Sequence, residues 1–122
     1  MLSGRQGVSL QIRLFGPFSA SWSDGRELPV RSAKARAMLA LLARSPEGRR
    51  GRGWLQEMLW GRSGSDHGRA SLRRALADMR ALLDDRFDLV FSVTNDEIRI
   101  NPGSFEIIGS TQDGQLLEGL NI

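Results

Sequence analysis

From Asp66 to Asp84 the chain runs Asp-His-Gly-Arg-Ala-Ser-Leu-Arg-Arg-Ala-Leu-Ala-Asp-Met-Arg-Ala-Leu-Leu-Asp, with long apolar residues at Leu72, Leu76, Met79 and Leu83. An i, i+4, i+7, i+11 spacing lines one side of an α-helix, so this segment is expected to be helical and to rest by that side on a core. Arg69, Arg73 and Arg80 then project from the opposite side, with Arg74 on its flank. A guanidinium is always charged, and its planar fork can bond phosphate oxygens or the O6 and N7 of guanine. Two readings stand side by side: a recognition helix entering a major groove, or an amphipathic helix whose arginines only solvate its outer face. The segment alone does not choose between them.

The rest of the chain has to supply the core. At 122 residues, 40% hydrophobic and 25% charged, it has the length and composition of one folded domain plus tails. With no cysteine, disulfides and thiolate metal sites are excluded, and one histidine, His67, leaves any zinc site resting on carboxylates, so neither metal nor cofactor is expected. No apolar run is long enough to span a bilayer and no signal-peptide pattern opens the chain, so a cytoplasmic protein without a membrane partner is expected. Charge is unevenly placed. Between Arg31 and Arg80 stand twelve basic and four acidic residues, a local +8, whereas the two ends together carry −5. Such concentration steers a polyanion to one part of a surface. All basic residues but Lys34 are arginine, so compositional bias weakens the argument from arginine itself, not the argument from charge position.

Met1 to Gly7 reads as a loose lead, and Val8, Leu10, Ile12 and Leu14 alternate as a strand with one buried face. Gly16-Pro17 turns the chain, Phe18, Ala20 and Trp22 repeat the alternation, Asp24-Gly25 forms a hairpin turn, and Glu27 to Val30 returns as a third antiparallel strand. Ser32 caps a helix over Ala33 to Ala43, the central core helix. Pro46 to Gly53 reads as a loop. Trp54 to Trp60 is helical, Gly61 to Ser65 breaks it, and the arginine helix follows from about Asp66 to Leu83, capped by Ser65 or Asp66. Leu89, Phe91 and Val93 alternate, Asn95-Asp96 turns, and Ile98 and Ile100 alternate back as a second β-hairpin. Past residue 104 come an extended piece, a Gly-Ser-Thr-Gln-Asp-Gly linker and an apolar end with Leu116, Leu117, Leu120 and Ile122.

Two helices joined by a short Gly-containing loop, the second basic and followed by a β-hairpin, is the order of a winged helix-turn-helix. Within it, Trp54-Leu55-Gln56-Glu57-Met58-Leu59-Trp60-Gly61 and Arg69-Ala70-Ser71-Leu72-Arg73-Arg74-Ala75-Leu76 resemble the OmpR/PhoB-type winged helix, and most closely that of the SARP-like (Streptomyces antibiotic regulatory protein-like) bacterial regulators. Leu-Trp-Gly at 59 to 61 and Ala-Ser-Leu-Arg at 70 to 73 are its specific parts. The resemblance covers about Val8 to Pro102. It implies an α+β fold: an N-terminal three-stranded antiparallel sheet, three helices and a C-terminal hairpin wing. It implies transcription regulation, with double-stranded DNA, RNA polymerase and a C-terminal domain of the full-length protein as partners. The expected organisation is a lead at 1–7, a DNA-binding domain at 8–104, and at 105–122 a linker and the start of a truncated helical activation-type domain. The sequence departs from the pattern at Gly51, a helix cap without a side chain, at Ala75, Ala77 and Asp78, where better-known relatives carry histidine and basic residues, and at the acidic wing turn Thr94-Asn95-Asp96-Glu97.

The candidate DNA contacts are Arg69, Ser71, Arg73, Arg74 and Arg80 on the helix, Arg49, Arg50 and Arg52 beside it, and Arg99 on the wing. Arg73 is expected to read a base, with Arg69 and Arg74 as phosphate anchors. Trp22, Trp54 and Trp60 read as core packing rather than base stacking, and His67 as solvent-exposed. Asp84, Asp85 and Asp88 lack calcium-loop spacing, the Gly48 to Gly53 loop lacks phosphate-loop spacing, and no nucleophile motif is present, so no enzyme is expected. The alternative function is a winged helix serving as a protein-interaction or regulatory module of a larger protein, since a fold hosts many functions. Without a heptad seam or second apolar stripe, the fragment is expected to be a monomer whose apolar end packs poorly on its own domain.

Overall fold

The N-terminal alternation becomes strand β1 (Leu10–Arg13), which buries Leu10 and Ile12 and exposes Arg13. A computed structural model of the chain describes residues 9–14 and 16–108, apart from the side chains of Ser63 and Ser65. The linker and apolar end expected from residue 109 onward lie outside the described residues, as does the lead at 1–7. Strand β2 (Ser19–Trp22) pairs antiparallel with β1, Leu10 opposite Trp22 and Ile12 opposite Ala20. At the turn that follows, Gly25 has φ +98, and Asp24 accepts from the backbone N–H (3.1 Å) and Nε (3.0 Å) of Arg26. That backbone hydrogen bond first, and the Arg26 charge after it, hold the Asp24 carboxyl below its usual range.

The third strand of this sheet is not the expected one. Residues 27–30 contribute a single bridge, Ser21 to Glu27, and a bond from Leu28 N to the Ala20 carbonyl. Pro29 has no N–H to continue the ladder, and Val30 N bonds the Leu28 carbonyl in a tight local turn instead. Leu28 and Val30 still reach the core. The free edge of β1 is taken by β6 (Phe105–Ile107), running parallel to it, so the order is β2-β1-β6. Gln11 donates to Glu106 across this pair at 3.1 Å. The sheet thus extends three residues past the edge expected at 104.

Helix α1 (Ala33–Ala43) begins where Ser32 Oγ accepts the Ala35 N–H at 3.1 Å, and it buries Ala35, Met38, Leu39 and Leu42. Helix α2 (Arg52–Trp60) starts at Gly51 with no side-chain cap and buries Leu55 and Leu59. Helix α3 (Ser65–Leu83) has Gly64, at φ +89, as its N-cap, one residue before the expected Ser65 and two before Asp66. Its stripe is as the spacing predicts: Leu72, Leu76, Met79 and Leu83 are all buried, together with Ala75. Gly68 is buried where α3 crosses α2, facing Gln56 and Trp60. Lys34 on α1 donates at 2.6 Å to the Leu59 carbonyl near the end of α2, one of the carbonyls a helix end leaves unpaired.

Asp84, at φ +52, ends α3 and a tight turn leads into the short α4 (Phe87–Val90). Sequence alternation predicts a strand at Leu89; the residue lies in α4 instead and is 64% exposed. The i, i+3, i+4 set Phe87, Val90 and Phe91 enters the core, with the two phenylalanine rings stacked at 5.1 Å. Strands β4 (Phe91–Val93) and β5 (Glu97–Ile100) form the expected hairpin. Part of the expected 46–53 loop is a strand, β3 (Arg49–Gly51), antiparallel to β5, giving the order β3-β5-β4. Gly48, at φ +72, permits this approach, because a Cβ there would run into the Ile100 carbonyl oxygen. The result is α+β: three main helices and two small sheets whose strands interleave with them along the chain, around one shared apolar core.

Candidate nucleic-acid interface

Because α3 commits one side to the core, Arg69 and Arg73, one turn apart, face outward together. On α2 the buried pair Leu55 and Leu59 leaves Arg52 and Gln56, also one turn apart, on the side toward α3. The two pairs meet in an open groove of about 590 Å³ lined by Arg52, Gly53, Gln56, Arg69, Arg73, Asn95 and Asp96. Its third wall is the β4–β5 turn. That turn is held by the Thr94 hydroxyl, which accepts from the N–H groups of Asp96 (3.2 Å) and Glu97 (3.0 Å). Arg52 ties it to α2: the Arg52 N–H donates to the Asp96 carbonyl at 2.8 Å and Nη1 to the Thr94 carbonyl at 3.1 Å.

The candidate arginines separate by what they touch. Among the described residues no hydrogen bond, ion pair or ring contact engages the side chains of Arg73 or Arg74, both exposed. Arg69 is 3.7 Å from Asp66, whose side chain is 97% exposed; a pair so open to water contributes about 0–1 kcal/mol. Ser71 is half-buried on the helix flank and does not line the groove. Arg80 lies past the groove with its guanidinium 4.3 Å from the Phe87 ring centre. Arg50 donates from Nε to Ser45 Oγ at 2.9 Å and stacks 4.3 Å from Trp54. Arg49 pairs with Glu47 at 3.2 Å and Glu97 at 3.7 Å. Arg99 sits between Arg49 and Ser92 in the β3-β5-β4 register, its buried Nε without a partner among the described residues. The tryptophans pack against cations of their own chain: Trp22 under Arg86 at 4.8 Å, Trp60 near Lys34 at 5.8 Å.

No family model and no curated protein matches the chain. Among solved structures it is similar to Mycobacterium tuberculosis EmbR, determined in complex with a low-affinity phosphopeptide, with a TM-score of 0.61 and 24% identity over 80% of this chain. The fold is a winged helix. Hairpin β4–β5 is its wing, and α2 and α3 are its helix-turn-helix pair. The chain spans 27% of the length of EmbR.

Sequence reasoning named Arg52, Arg69 and Arg73, which the winged helix gathers in one groove, but it missed Gln56, Asn95 and Asp96. Gln56 had a signal, its i+4 spacing from Arg52 on a helix whose apolar side is fixed by Leu55 and Leu59. The wing turn had none, because its approach to α2 depends on pairing between β3 and β5, nearly fifty residues apart in the chain. Among the described residues no cluster of acidic and histidine side chains is arranged to hold a metal, and no helix is long and apolar enough to cross a membrane.

Proposed function

We propose that this winged helix is the DNA-binding domain of a bacterial transcription regulator, non-catalytic and cytoplasmic, with RNA polymerase as a further partner. In this reading α3 enters the major groove, Arg73 reads a base edge, and Arg69 and Arg74 anchor on phosphates on either side. The observation that carries the reading is the groove itself: Arg69 and Arg73 share it with Arg52 and Gln56, while Arg73 and Arg74 are unengaged by the described residues of their own chain. Past Arg52, whose N–H is taken by the Asp96 carbonyl, the first turn of α2 adds backbone N–H donors that no side chain caps, which suit a phosphate oxygen. Arg99 on the wing sheet supplies a flanking phosphate contact, and Arg49 does so by exchanging its exposed pairs with Glu47 and Glu97; Ser71 supplies a weaker one. Arg50 and Arg80, already stacked on aromatic rings, contribute chiefly to the fold.

The test is selection of bound sites from random duplex DNA, followed by binding of the selected duplex across a salt series. Affinity should fall linearly in log–log terms with a slope of about −0.9 for each phosphate contact. The second reading, a protein-interaction module, is favoured by one observation: the carboxylate of Asp96 stands in the same groove as the arginines. Absence of salt-dependent retention on any duplex would give that reading the lead.

A further inference from the structure

We infer that Asp96 is a specificity-determining residue of the groove, an anionic wall that holds off phosphate and so weakens binding to arbitrary DNA more than binding to the selected site. The inference rests on the DNA-binding reading above. Its basis is placement. Asp96 lines the same groove as Arg52, Arg69 and Arg73, yet among the described residues its carboxylate has no ion-pair partner. The carboxylate is also not at a loose tip. The Thr94 hydroxyl fixes the turn from within, and the two bonds from Arg52 fix it to the first turn of α2, so the backbone that carries the Asp96 side chain is held beside α2 and the charge stays in the groove.

A polyanion entering this groove meets attraction from three guanidiniums and repulsion from one carboxylate. On DNA of arbitrary sequence the groove contacts only phosphate and sugar, and the repulsion is uncompensated. At a matched site a base edge lies against the same wall, and a carboxylate accepts well from an exocyclic amino group such as N4 of cytosine. One group thereby penalises the wrong partner and is tolerated by the right one, which is how a difference of affinities is widened.

Asp96→Asn removes the charge and retains the size, and it leaves in place the backbone N–H and carbonyl through which Asp96 bonds Thr94 and Arg52. At about 50 mM salt, where unit charges some 6 Å apart near a surface are weakly screened, the variant should bind a random-sequence duplex about three- to tenfold tighter than the parent. Binding to the selected duplex should change by less than about twofold, and the gain on random DNA should shrink as salt rises. Asp88→Asn, which makes the same charge change outside the groove, should leave both duplexes unaffected. An unchanged affinity for random DNA overturns the inference, as does an equal gain on both duplexes or the same gain from Asp88→Asn. If the parent itself shows no salt-dependent binding to either duplex, the DNA-binding reading fails first and the inference with it.

Discussion

The outer face of α3 and the ring of arginines around β3 and α4 are equally rich in guanidinium but differ in what holds it. Around β3 and α4, Arg50 bonds Ser45 and stacks on Trp54, Arg86 covers Trp22, and Arg80, at the far end of α3, covers Phe87. On α3 itself Arg73 and Arg74 are exposed and unengaged by the described residues, and Arg69 has one loose pair. Arginine content therefore says little about binding in this chain. Engagement by the fold says more, because a guanidinium already stacked and hydrogen-bonded must give up those contacts before it can meet a ligand.

The comparison can be broken most severely from below. Leu72→Ala removes a fully buried side chain from the platform that presents both Arg69 and Arg73, and should cost about 2–5 kcal/mol in urea denaturation. A loss under 1 kcal/mol would mean the stripe is not the floor of the groove. Gly48→Ala acts on the engaged side: a Cβ pressed against the Ile100 carbonyl, at positive φ, should cost roughly 2–4 kcal/mol and loosen β3 from β5. Lys34→Met keeps the stem of the chain's single lysine but deletes its bond to the Leu59 carbonyl, with an expected loss of about 1–2 kcal/mol read by thermal melting. The smallest effect is a gain. Gly68→Ala places a methyl group in ordinary contact with Gln56 and Trp60 and removes a helix-interior glycine, so stability should rise by about 0.5–1 kcal/mol; a fall would show that α2 and α3 cross more tightly there than the structure describes.

What could be read from the sequence was what depends on near neighbours. The stripe of α3, the Ser32 cap of α1 and the Asp24-Gly25 turn each lie within a few residues, and each is where the pattern puts it. What could not be read depends on distant pairing. Residues 49–51, Arg-Arg-Gly, have no strand pattern and are extended because β5 offers an edge and Gly48 allows the approach. Phe105–Ile107 pairs with a strand some ninety residues earlier, while Pro29 removes the hairpin return that local alternation favoured. The candidate site divides along the same line: the helical arginines were visible as a face and Gln56 was legible from its spacing to Arg52, but the wing turn entered the groove only through tertiary packing.

The division between engaged and unengaged arginines is tested most directly by carrying two variants through the same two assays. The double variant Arg73→Ala/Arg74→Ala and the single variant Arg50→Ala would each be measured for urea denaturation and for binding to a selected duplex across a salt series. The double variant should unfold within about 0.5 kcal/mol of the parent and lose about 1–3 kcal/mol of binding or more, with a flatter salt dependence. Arg50→Ala should lose about 1–2 kcal/mol of stability, from one hydrogen bond and one cation–π contact, and bind within about twofold of the parent. The reverse pattern, with Arg50 governing binding and the α3 pair governing stability, would contradict the account.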